Sequence, residues 1–421
     1  MEEIIFENIW EKYGLKETPY STSPLKLVGI LPIEKVFANR VKELKELGSR
    51  IVSASSTRTL IIGAPGVGKT TFCNYLRWHL CRKERENSKF LTTPVELKVD
   101  DNWDNKQFLR SSLAAIYNAS IIFNWDKFKT LSDLEAYIKS TKIKSQQGGG
   151  QVAGCGLSIG YGETMTLPND IPAEILEDFF LRILKEIRSK GKGLILQYNN
   201  LENVDVEKLA KLLQSIREYL QIDGLHALFL GPEESLSAVE KYTQVHSVFG
   251  KTLLLNNLTD RQVLEVLSKR CESLKLADGR YIAPYQESTV KELYRMLNGN
   301  IRLMFKILDD AALAFPKNAP CAITLKEIKI YSKEEAQKSL FNLNDNEKKI
   351  LVALADKKAL NHGDLAEITK IAPQNLSKYA KDLINRGLVT VRVDEADRRV
   401  SIYRLSENTS LILTFSGELV K

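Results

Sequence analysis

One glycine-rich stretch has the residue types and the spacing that hold a phosphate chain. The residues GAPGVGKTT at 63–71 fit the pattern GxxxxGK followed by Ser or Thr, come after the apolar run TLIIG, and open a segment with helical spacing of apolar residues. Glycines let backbone N–H groups curl around the β-phosphate, and the helix N-terminus adds its dipole. Lys69 would reach the β- and γ-phosphates, and the Thr70 hydroxyl would bind Mg²⁺. We therefore expect ATP and Mg²⁺ as ligands, with nucleotide contacts from Gly63, Pro65, Gly66, Gly68, Lys69, Thr70 and Thr71.

A second stretch, GLILQYNNLEN at 193–203, begins with an apolar run that predicts a buried strand. The run ends at Asn199 and Asn200, and Glu202 lies two positions further on. Amide side chains are neutral, so they add no charge to a metal and cannot act as a base, whereas a carboxylate can do both. The stretch resembles the second strand of a phosphate site in nucleotide-hydrolysing proteins, so its side chains bear on whether the protein hydrolyses ATP or only holds it.

The length and composition limit the protein class. A chain of 421 residues predicts two or three domains, and a formal net charge of +7 permits a polyanionic partner without requiring one. No apolar run approaches the ~20 residues of a membrane helix, and the acidic start MEEIIFENIWEKYG lacks the positive region of a signal peptide. Scattered cysteines without a CxxC pair indicate reduced thiols, and four separated histidines argue against zinc. We expect a cytoplasmic protein that does not bind a membrane.

The order of predicted elements divides the chain into three regions. Residues 1–255 alternate short apolar runs with amphipathic helices, which is typical of a parallel α/β sheet. Residues 256–340 have only helical patterns, and residues 341–421 have three helices followed by two strands. A glycine-rich segment at 145–168 interrupts the first region. We interpret it as an inserted β-hairpin, either a mobile surface feature or a contact for a partner or for DNA.

Several segments, in order, resemble AAA+ ATPases of the archaeal origin-recognition and replication-initiator branch, which are related to ATPases that select transposon targets. Besides the P-loop at 63–71 and the strand at 193–199, they are YGLKETPY (13–20), FANRVKEL (37–44) and GNIR (299–302). The resemblance implies an AAA+ parallel sheet followed by an all-helical lid. It also implies that the first two segments pack beside the adenine and that Arg302 reaches from the lid to the γ-phosphate. The lid angle would then depend on the bound nucleotide.

The same resemblance implies two acidic residues where this chain has amides. In the family, the strand ends in an Asp that orients Mg²⁺ and its water, and a Glu that positions or deprotonates the attacking water. These positions are Asn199 and Asn200 here. The amide of Asn199 could still accept a bond from a metal-bound water, so we expect it at the metal together with Thr70. Asn200 and Glu202 are the catalytic candidates.

Two further hydrolytic positions depart from the family pattern. The strand LHALFLGPEESL should end in a polar residue that positions water, but Gly231 and Pro232 stand there. The segment before the next strand lacks the arginine that reaches a neighbour's γ-phosphate, and only His246 and Lys251 lie nearby. One interpretation is ATP binding with weak or absent hydrolysis. The other is slow hydrolysis, with Glu202 as the base or with the arginine supplied by a partner.

The last region resembles a MarR-type winged helix, particularly in the wing sequence DEADRRVSIYRLSE. Core positions are predicted on three successive helices: Ile350, Leu351, Leu354, Leu365, Ile368, Leu376, Tyr379 or Ala380, and Leu383. In this fold the third helix enters the major groove, where amides pair with adenine edges and lysines with phosphates. The candidates for DNA contacts are Gln374, Asn375, Ser377, Lys378 and Lys381, with Arg398 and Arg399 on the wing for the minor groove or its phosphates.

The winged helix has a second interpretation. Residues 341–421 contain 13 Lys or Arg against 11 Asp or Glu, so the region is only mildly basic. Such modules also dock proteins, and a near-neutral one should bind non-specific DNA weakly.

Together these features predict an ATP-binding, DNA-associated switch protein, with other protein subunits or further copies of itself as candidate partners. Replication initiation, transposon targeting and loading of another enzyme would all fit. The alternative is an ATP-gated signalling or defence regulator that oligomerises and recruits an effector protein through the winged helix. Sequence-specific operator binding by a dimer would indicate a transcription regulator instead.

Overall fold

The computed structural model describes residues 7–29, 31–81, 88–125, 128–147, 167–277, 279–315, 320–340, 342–393 and 400–416. The chain forms two compact units. One comprises Ser23–Asn257, and the other joins the chain up to Thr22 with the chain from Leu258 onward. The hairpin predicted at 145–168 lies almost wholly outside the described residues, as do Arg398 and Arg399 of the predicted wing. The domain boundaries predicted after residues 255 and 340 stay predictions.

Six strands of the first unit form one parallel sheet. They are β1 (Thr57–Ile62), β2 (Phe90–Thr92), β3 (Leu97–Lys98), β4 (Gly193–Asn199), β5 (Leu225–Gly231) and β6 (Leu253–Leu254). Their order is β2-β4-β5-β1-β6, and β3 pairs with β4 next to β2. The helices of this unit are α1 (Ile33–Val36), α2 (Val41–Ser53), α3 (Lys69–Cys81), α4 (Asn105–Ile122), α5 (Lys129–Gln147), α6 (Ala173–Ser189), α7 (Val206–Ser215), α8 (Arg217–Leu220), α9 (Ser235–Glu240) and α10 (Thr243–His246). The parallel sheet with a P-loop after β1 confirms the predicted fold class.

The two central strands explain the apolar runs in the sequence. Every residue of β4 and β5 is buried, as in sheets covered by helices on both faces. On one face Tyr198 stacks on Phe229 and Phe108, with ring centroids 4.8 and 5.2 Å away. On the other face Phe72 of α3 shares an apolar cluster with Ile195. Because the strands are parallel, the C-terminal ends of β1, β4 and β5 lie along the same edge of the sheet.

The second unit begins with helices and ends with the winged helix. Its helices are α11 (Asp260–Leu274), α12 (Glu287–Met296), α13 (Ile301–Ala314), α14 (Leu325–Leu340), α15 (Asp345–Lys357), α16 (His362–Thr369), α17 (Pro373–Asn385) and α18 (Glu407–Ser416). Three antiparallel strands, β7 (Leu360–Asn361), β8 (Val389–Val393) and β9 (Ser401–Leu405), pair in the order β7-β9-β8. The order of helical and winged-helix elements agrees with the prediction, whereas β7 and α18 were not predicted.

The start of the chain packs against the helices of this second unit. The Tyr20 hydroxyl donates to the carbonyl of Pro284 at 3.0 Å. The buried guanidinium of Arg270 donates to the carbonyls of Pro19 and Ser21 at 3.2 and 2.7 Å. Burial lowers the pKa of Arg270 to about 10, which leaves it charged at neutral pH. The segment YGLKETPY is therefore held by buried hydrogen bonds within this unit.

The winged-helix core contains all but one of the predicted positions. Ile350, Leu351, Leu354, Leu365, Leu376, Ala380 and Leu383 are buried. The prediction for Ile368 is wrong, because its side chain is 45% exposed. Thr369, four residues after Leu365, takes the buried place, and its hydroxyl donates to the carbonyl of Leu365 at 2.6 Å. Within the described part of the chain, no helix has both the length and the apolar character needed to cross a membrane.

Candidate functional site

The glycine loop between β1 and α3 has the backbone that the phosphate pattern requires. Gly66 and Gly68 have φ values of 76° and 93°, in the left-handed region that favours glycine. A Cβ on Gly63 would meet the carbonyl oxygen of Leu255 at 2.5 Å, so no larger residue fits there. These glycines bring the loop directly to the N-terminus of α3 at Lys69. A helix N-terminus preceded by such a loop is suited to bind an anion.

The polar side chains of the loop have specific partners. The ammonium group of Lys69 donates to the carbonyls of Gly63 and Ala64 at 2.7 and 3.2 Å. The Thr71 hydroxyl accepts a hydrogen bond from the backbone N–H of Leu25 at 3.3 Å. Lys69 thus lies across its own loop. The residues predicted to bind nucleotide in this loop are together in space, and their contacts with nucleotide stay a prediction.

Arg40 is a component of this site that the sequence reasoning did not assign. It is 8% exposed, and its guanidinium donates to the carbonyls of Val67 and Asn256 at 2.9 Å each. One side chain therefore connects the glycine loop to the chain that follows β6. The segment FANRVKEL was recognised as part of the family resemblance, but its arginine gave no signal that it would hold the loop.

The end of β4 forms a series of hydrogen bonds that ends at the P-loop. The Gln197 amide nitrogen donates to Asn199 Oδ1 at 2.9 Å, and Asn199 Nδ2 donates to Thr70 Oγ1 at 3.3 Å. The contact between Asn199 and Thr70 joins the two residues that were predicted at the metal. Gln197 was not predicted, although a polar residue within an apolar run was a visible signal.

The residues at this point do not fit a Mg²⁺ site. Mg²⁺ binds oxygen ligands and prefers carboxylates. The oxygen of Asn199 is engaged by Gln197, and its nitrogen faces the Thr70 hydroxyl. In the described part of the chain, no group of three or more His, Cys, Asp or Glu is placed to hold a metal ion. The chemistry of the donors thus disagrees with the expected metal at Asn199.

Asn200 and Glu202, the predicted catalytic residues, follow directly after β4. Asn200 has a φ of 68° and precedes a short 3-10 helix, Leu201–Asn203. Glu202 is exposed on this helix. The left-handed turn at Asn200 thus lies between the end of β4 and the helix that carries Glu202. A catalytic role for either residue stays a prediction.

The end of β5 has no room for a side chain. A Cβ on Gly231 would meet Ser235 Oγ at 2.2 Å and the Cβ of Leu201 at 3.0 Å. Ser235 is itself buried, so it cannot move aside into solvent. The packing around Gly231 therefore excludes a polar side chain at this position.

The segment before β6 offers no arginine, as the sequence indicated. Lys251 is exposed and pairs with Glu46 at 3.2 Å, and His246 is exposed at the end of α10. Arg58, at the start of β1, donates instead to the carbonyl of Val248 at 3.0 Å, and burial lowers its pKa. Its guanidinium is thus engaged within the fold.

In the second unit, the predicted nucleotide contact Arg302 is exposed in the first turn of α13. The residue before this helix, Asn300, uses both ends of its amide. Its oxygen accepts from the N–H of Leu303 at 3.0 Å, and its nitrogen donates to the Glu407 carboxylate at 2.6 Å. Glu407 is the first residue of α18, which packs against α14. The GNIR motif is therefore hydrogen-bonded to the helix that follows the winged-helix strands.

The predicted recognition helix α17 exposes its candidate residues to solvent. Gln374, Asn375, Ser377, Lys378 and Lys381 are all exposed, while Leu376, Ala380 and Leu383 face the core. Ser377 is partly engaged, since its hydroxyl lies 3.0 Å from His362 Nε2. Gln374, Asn375, Lys378 and Lys381 thus form an exposed polar and basic surface. DNA contacts from this surface stay a prediction.

A cavity of about 340 Å³ lies away from these sites. Its walls include Leu27, Trp78, Phe90 and Trp125. Trp78 lies in the last turns of α3, whereas the P-loop joins the first turn of that helix. The cavity is therefore separate from the candidate nucleotide site.

Comparisons with known proteins give one family match. The MarR family model matches residues 341–400, which confirms the predicted resemblance of the last region. No curated protein matches the chain.

Similar solved structures include two origin-recognition proteins of Aeropyrum pernix. The ORC2 protein, solved as ADPNP and ADP complexes, is 16% identical, with 97% of this chain and 98% of that chain covered and a TM-score of 0.48. The ORC1 protein, solved in complex with DNA, is 14% identical, with 95% and 99% covered and a TM-score of 0.48. A MarR mutant from E. coli is 15% identical over 24% of this chain and 78% of that chain, with a TM-score of 0.18. These proteins belong to the groups that the sequence resembles, and this chain's own strand order and P-loop carry its fold class.

Proposed function

We propose that the protein is an ATP-binding, DNA-associated switch in which nucleotide occupancy, with weak or absent hydrolysis, controls the winged helix or assembly on DNA. The observation that carries this proposal is the contrast within one site. The glycine loop keeps every feature that holds phosphates, whereas the strand ends beside it carry amides and a glycine. Such a site retains affinity for ATP and lacks the groups that activate water.

The weakness of hydrolysis follows from the chemistry of the strand ends. An attacking water needs a base or a strong acceptor, and a positioned general base is typically worth ~10² to 10⁴ in rate. Asn200 is neutral at the position that the family fills with Glu, and Gly231 has no polar group to orient water. Two of the groups that would speed hydrolysis are thus missing on neighbouring strands.

The hydrogen bond between Asn300 and Glu407 supports a route from the lid to the winged helix. Asn300 caps α13 and binds Glu407 of α18 with the same side chain. A shift of the first turn of α13, where Arg302 lies, would pull on α18 and on the strand β9 before it. We infer that nucleotide contacts at Arg302 change the geometry of the winged helix through this bond.

The exposed surface of α17 supports DNA as the partner of the winged helix. The test is duplex binding at several salt concentrations with the variant Lys378→Glu/Lys381→Glu. Removing two phosphate contacts should weaken binding at least ~10-fold and reduce the salt slope by about 2. The matched control, Lys348→Glu/Lys349→Glu, makes the same charge change at exposed positions of α15 and should stay within ~2-fold of wild type.

Protein docking is the second candidate, and the mild charge of residues 341–421 favours it. In that case the wild type would bind duplex DNA no more tightly than the variant at every salt concentration. ATP-dependent self-assembly without any DNA affinity would then indicate a regulator that recruits an effector protein. Equal losses in the α17 and α15 variants would show that net charge, and not the recognition helix, determines DNA binding.

A further inference from the structure

The proposed function gives no role to Gln197, a buried polar side chain of β4. Gln197 is fully buried in the centre of β4, and its amide oxygen has no hydrogen-bond donor among the described residues. Burying an amide with an unsatisfied oxygen costs free energy, and an apolar residue would avoid that cost. Among the described residues, the hydrogen bond of its amide nitrogen goes to Asn199, and this contact indicates a role for Gln197.

Gln197 fixes the orientation of the Asn199 amide. Asn199 is 4% exposed, so its side chain cannot exchange these partners for water. Its oxygen accepts from Gln197 at 2.9 Å, and its nitrogen is left to face the Thr70 hydroxyl at 3.3 Å. The positive end of the amide dipole therefore points to the hydroxyl that would bind a metal ion.

This arrangement opposes a cation in two ways. Asn199 contributes no negative charge, and a divalent cation in a nucleotide site is normally bound through one or two carboxylates plus the phosphates. Its N–H group also cannot accept a hydrogen bond from a metal-bound water. A carboxylate at the same position would accept from both Gln197 and the Thr70 hydroxyl and would reverse both effects.

We propose that this site binds adenine nucleotides almost independently of Mg²⁺, and that Gln197 is the positioning residue that keeps Asn199 in its metal-excluding orientation. The proposal depends on the nucleotide binding put forward above. The ligand would be ATP or ADP without a bound metal ion, and Lys69 and the loop N–H groups would neutralise its phosphates.

The test compares nucleotide dissociation constants in Mg²⁺ and in EDTA, with fluorescent ATP and ADP analogues on the full chain. In wild type the two constants should agree within ~3-fold. In Asn199→Asp, binding in Mg²⁺ should become at least ~10-fold tighter than in EDTA, because the new carboxylate meets Thr70. Asn203→Asp, which adds the same charge at an exposed position of the following 3-10 helix, should keep the wild-type ratio.

Gln197→Leu tests the positioning role. Leucine fits a buried strand. Because the variant lacks the Gln197 amide, the Asn199 side chain can turn its oxygen to Thr70. The ratio between the two constants should then rise ~3-fold or more in favour of Mg²⁺. A merely structural role of Gln197 would weaken binding equally in Mg²⁺ and EDTA and leave the ratio unchanged, which would overturn this part of the proposal.

The outcomes separate this proposal from the proposed function. Wild-type binding that weakens ~10-fold or more in EDTA would overturn Mg²⁺ independence while leaving nucleotide binding intact. Absence of nucleotide binding in both conditions would contradict the proposed function itself and the present proposal with it.

Discussion

The P-loop and the strand ends next to it share one edge of the sheet, yet they are built for different tasks. In the loop, Gly63 is required by a close approach to Leu255, and Lys69 is held by two backbone carbonyls. At the strand ends, β4 finishes in amides, and β5 finishes in Gly231, which is packed too tightly to be replaced. We propose that the loop binds nucleotide and that the strand ends lack the groups that would hydrolyse it.

Under the proposed function, phosphate binding and hydrolysis are separated along one edge of the sheet. Phosphate binding uses backbone N–H groups and one lysine, which the fold itself presents. Hydrolysis needs individual acids and polar groups at strand ends, so it can be lost while the loop stays unchanged. A protein that needs only to sense nucleotide occupancy can keep the first and lose the second.

The largest effect is expected from breaking the loop. Lys69→Ala should weaken ATP binding by at least ~100-fold, about 2.7 kcal/mol, because a charge-assisted contact to the phosphates is lost. Isothermal calorimetry measures the change directly. The control Lys211→Ala removes an exposed lysine of α7 and should bind as wild type. Equal affinity in both variants would mean that the loop does not hold phosphates.

Acidic residues at the end of β4 should give the site a higher rate of ATP hydrolysis. The double variant Asn199→Asp/Asn200→Glu should raise the single-turnover rate of ATP hydrolysis by ~10²-fold, within the range of a general base. The left-handed backbone at Asn200 makes Glu there cost about 1 kcal/mol of stability. A rate that stays at the wild-type value would show that the amides are not what limits hydrolysis.

A side chain at the end of β5 should damage the fold before it helps catalysis. Gly231→Asn should lower the free energy of unfolding by about 1–3 kcal/mol, because its Cβ would overlap Ser235 Oγ. Adding Ser235→Gly should recover part of that loss. Chemical denaturation checks both, with Gly48→Asn as the control at a position of α2 where a Cβ would make only an ordinary contact, 3.6 Å from Leu76 Cδ1. Full stability of Gly231→Asn would contradict the packing argument.

The smallest expected effect concerns whether ATP bound at the loop changes the DNA affinity of the winged helix. Asn300→Asp keeps the helix cap but sets a carboxylate against Glu407, so the effect of ATP on DNA affinity should fall by ~5-fold, about 1 kcal/mol. Adding Glu407→Gln should restore the effect, because Gln can donate to Asp. Anisotropy titrations of duplex DNA with and without ATP measure it. An unchanged ATP effect in Asn300→Asp would exclude this bond as the route.

The sequence predicted the elements of this molecule better than its contacts. The P-loop, the buried strands β4 and β5 and most of the winged-helix core are local patterns, so spacing alone locates them. Ile368 fails because α16 buries Thr369 instead, and a polar residue in a core position gives no apolar signal. The metal contact expected for Asn199 stays a prediction, and the oxygen that such a contact needs accepts a hydrogen bond from Gln197.

Contacts between distant parts of the chain gave no such signal. Arg40 holds a loop residue 27 positions away and a carbonyl 216 positions away. The steric closure of Gly231 by Ser235 depends on the turn between β5 and α9, which the sequence does not specify. Such features follow from tertiary packing, whereas motif spacing reports only neighbours along the chain.

The most direct test of the central claim is the fate of a single bound ATP. Purified protein would be loaded with radiolabelled ATP and phosphate release followed in single turnover, with and without duplex DNA, beside Lys69→Ala and Glu202→Gln. We predict that wild type retains ATP with negligible release in either condition and that Lys69→Ala carries none. Release that disappears in Glu202→Gln would contradict the account, because the protein would then be a working ATPase with its base on the 3-10 helix.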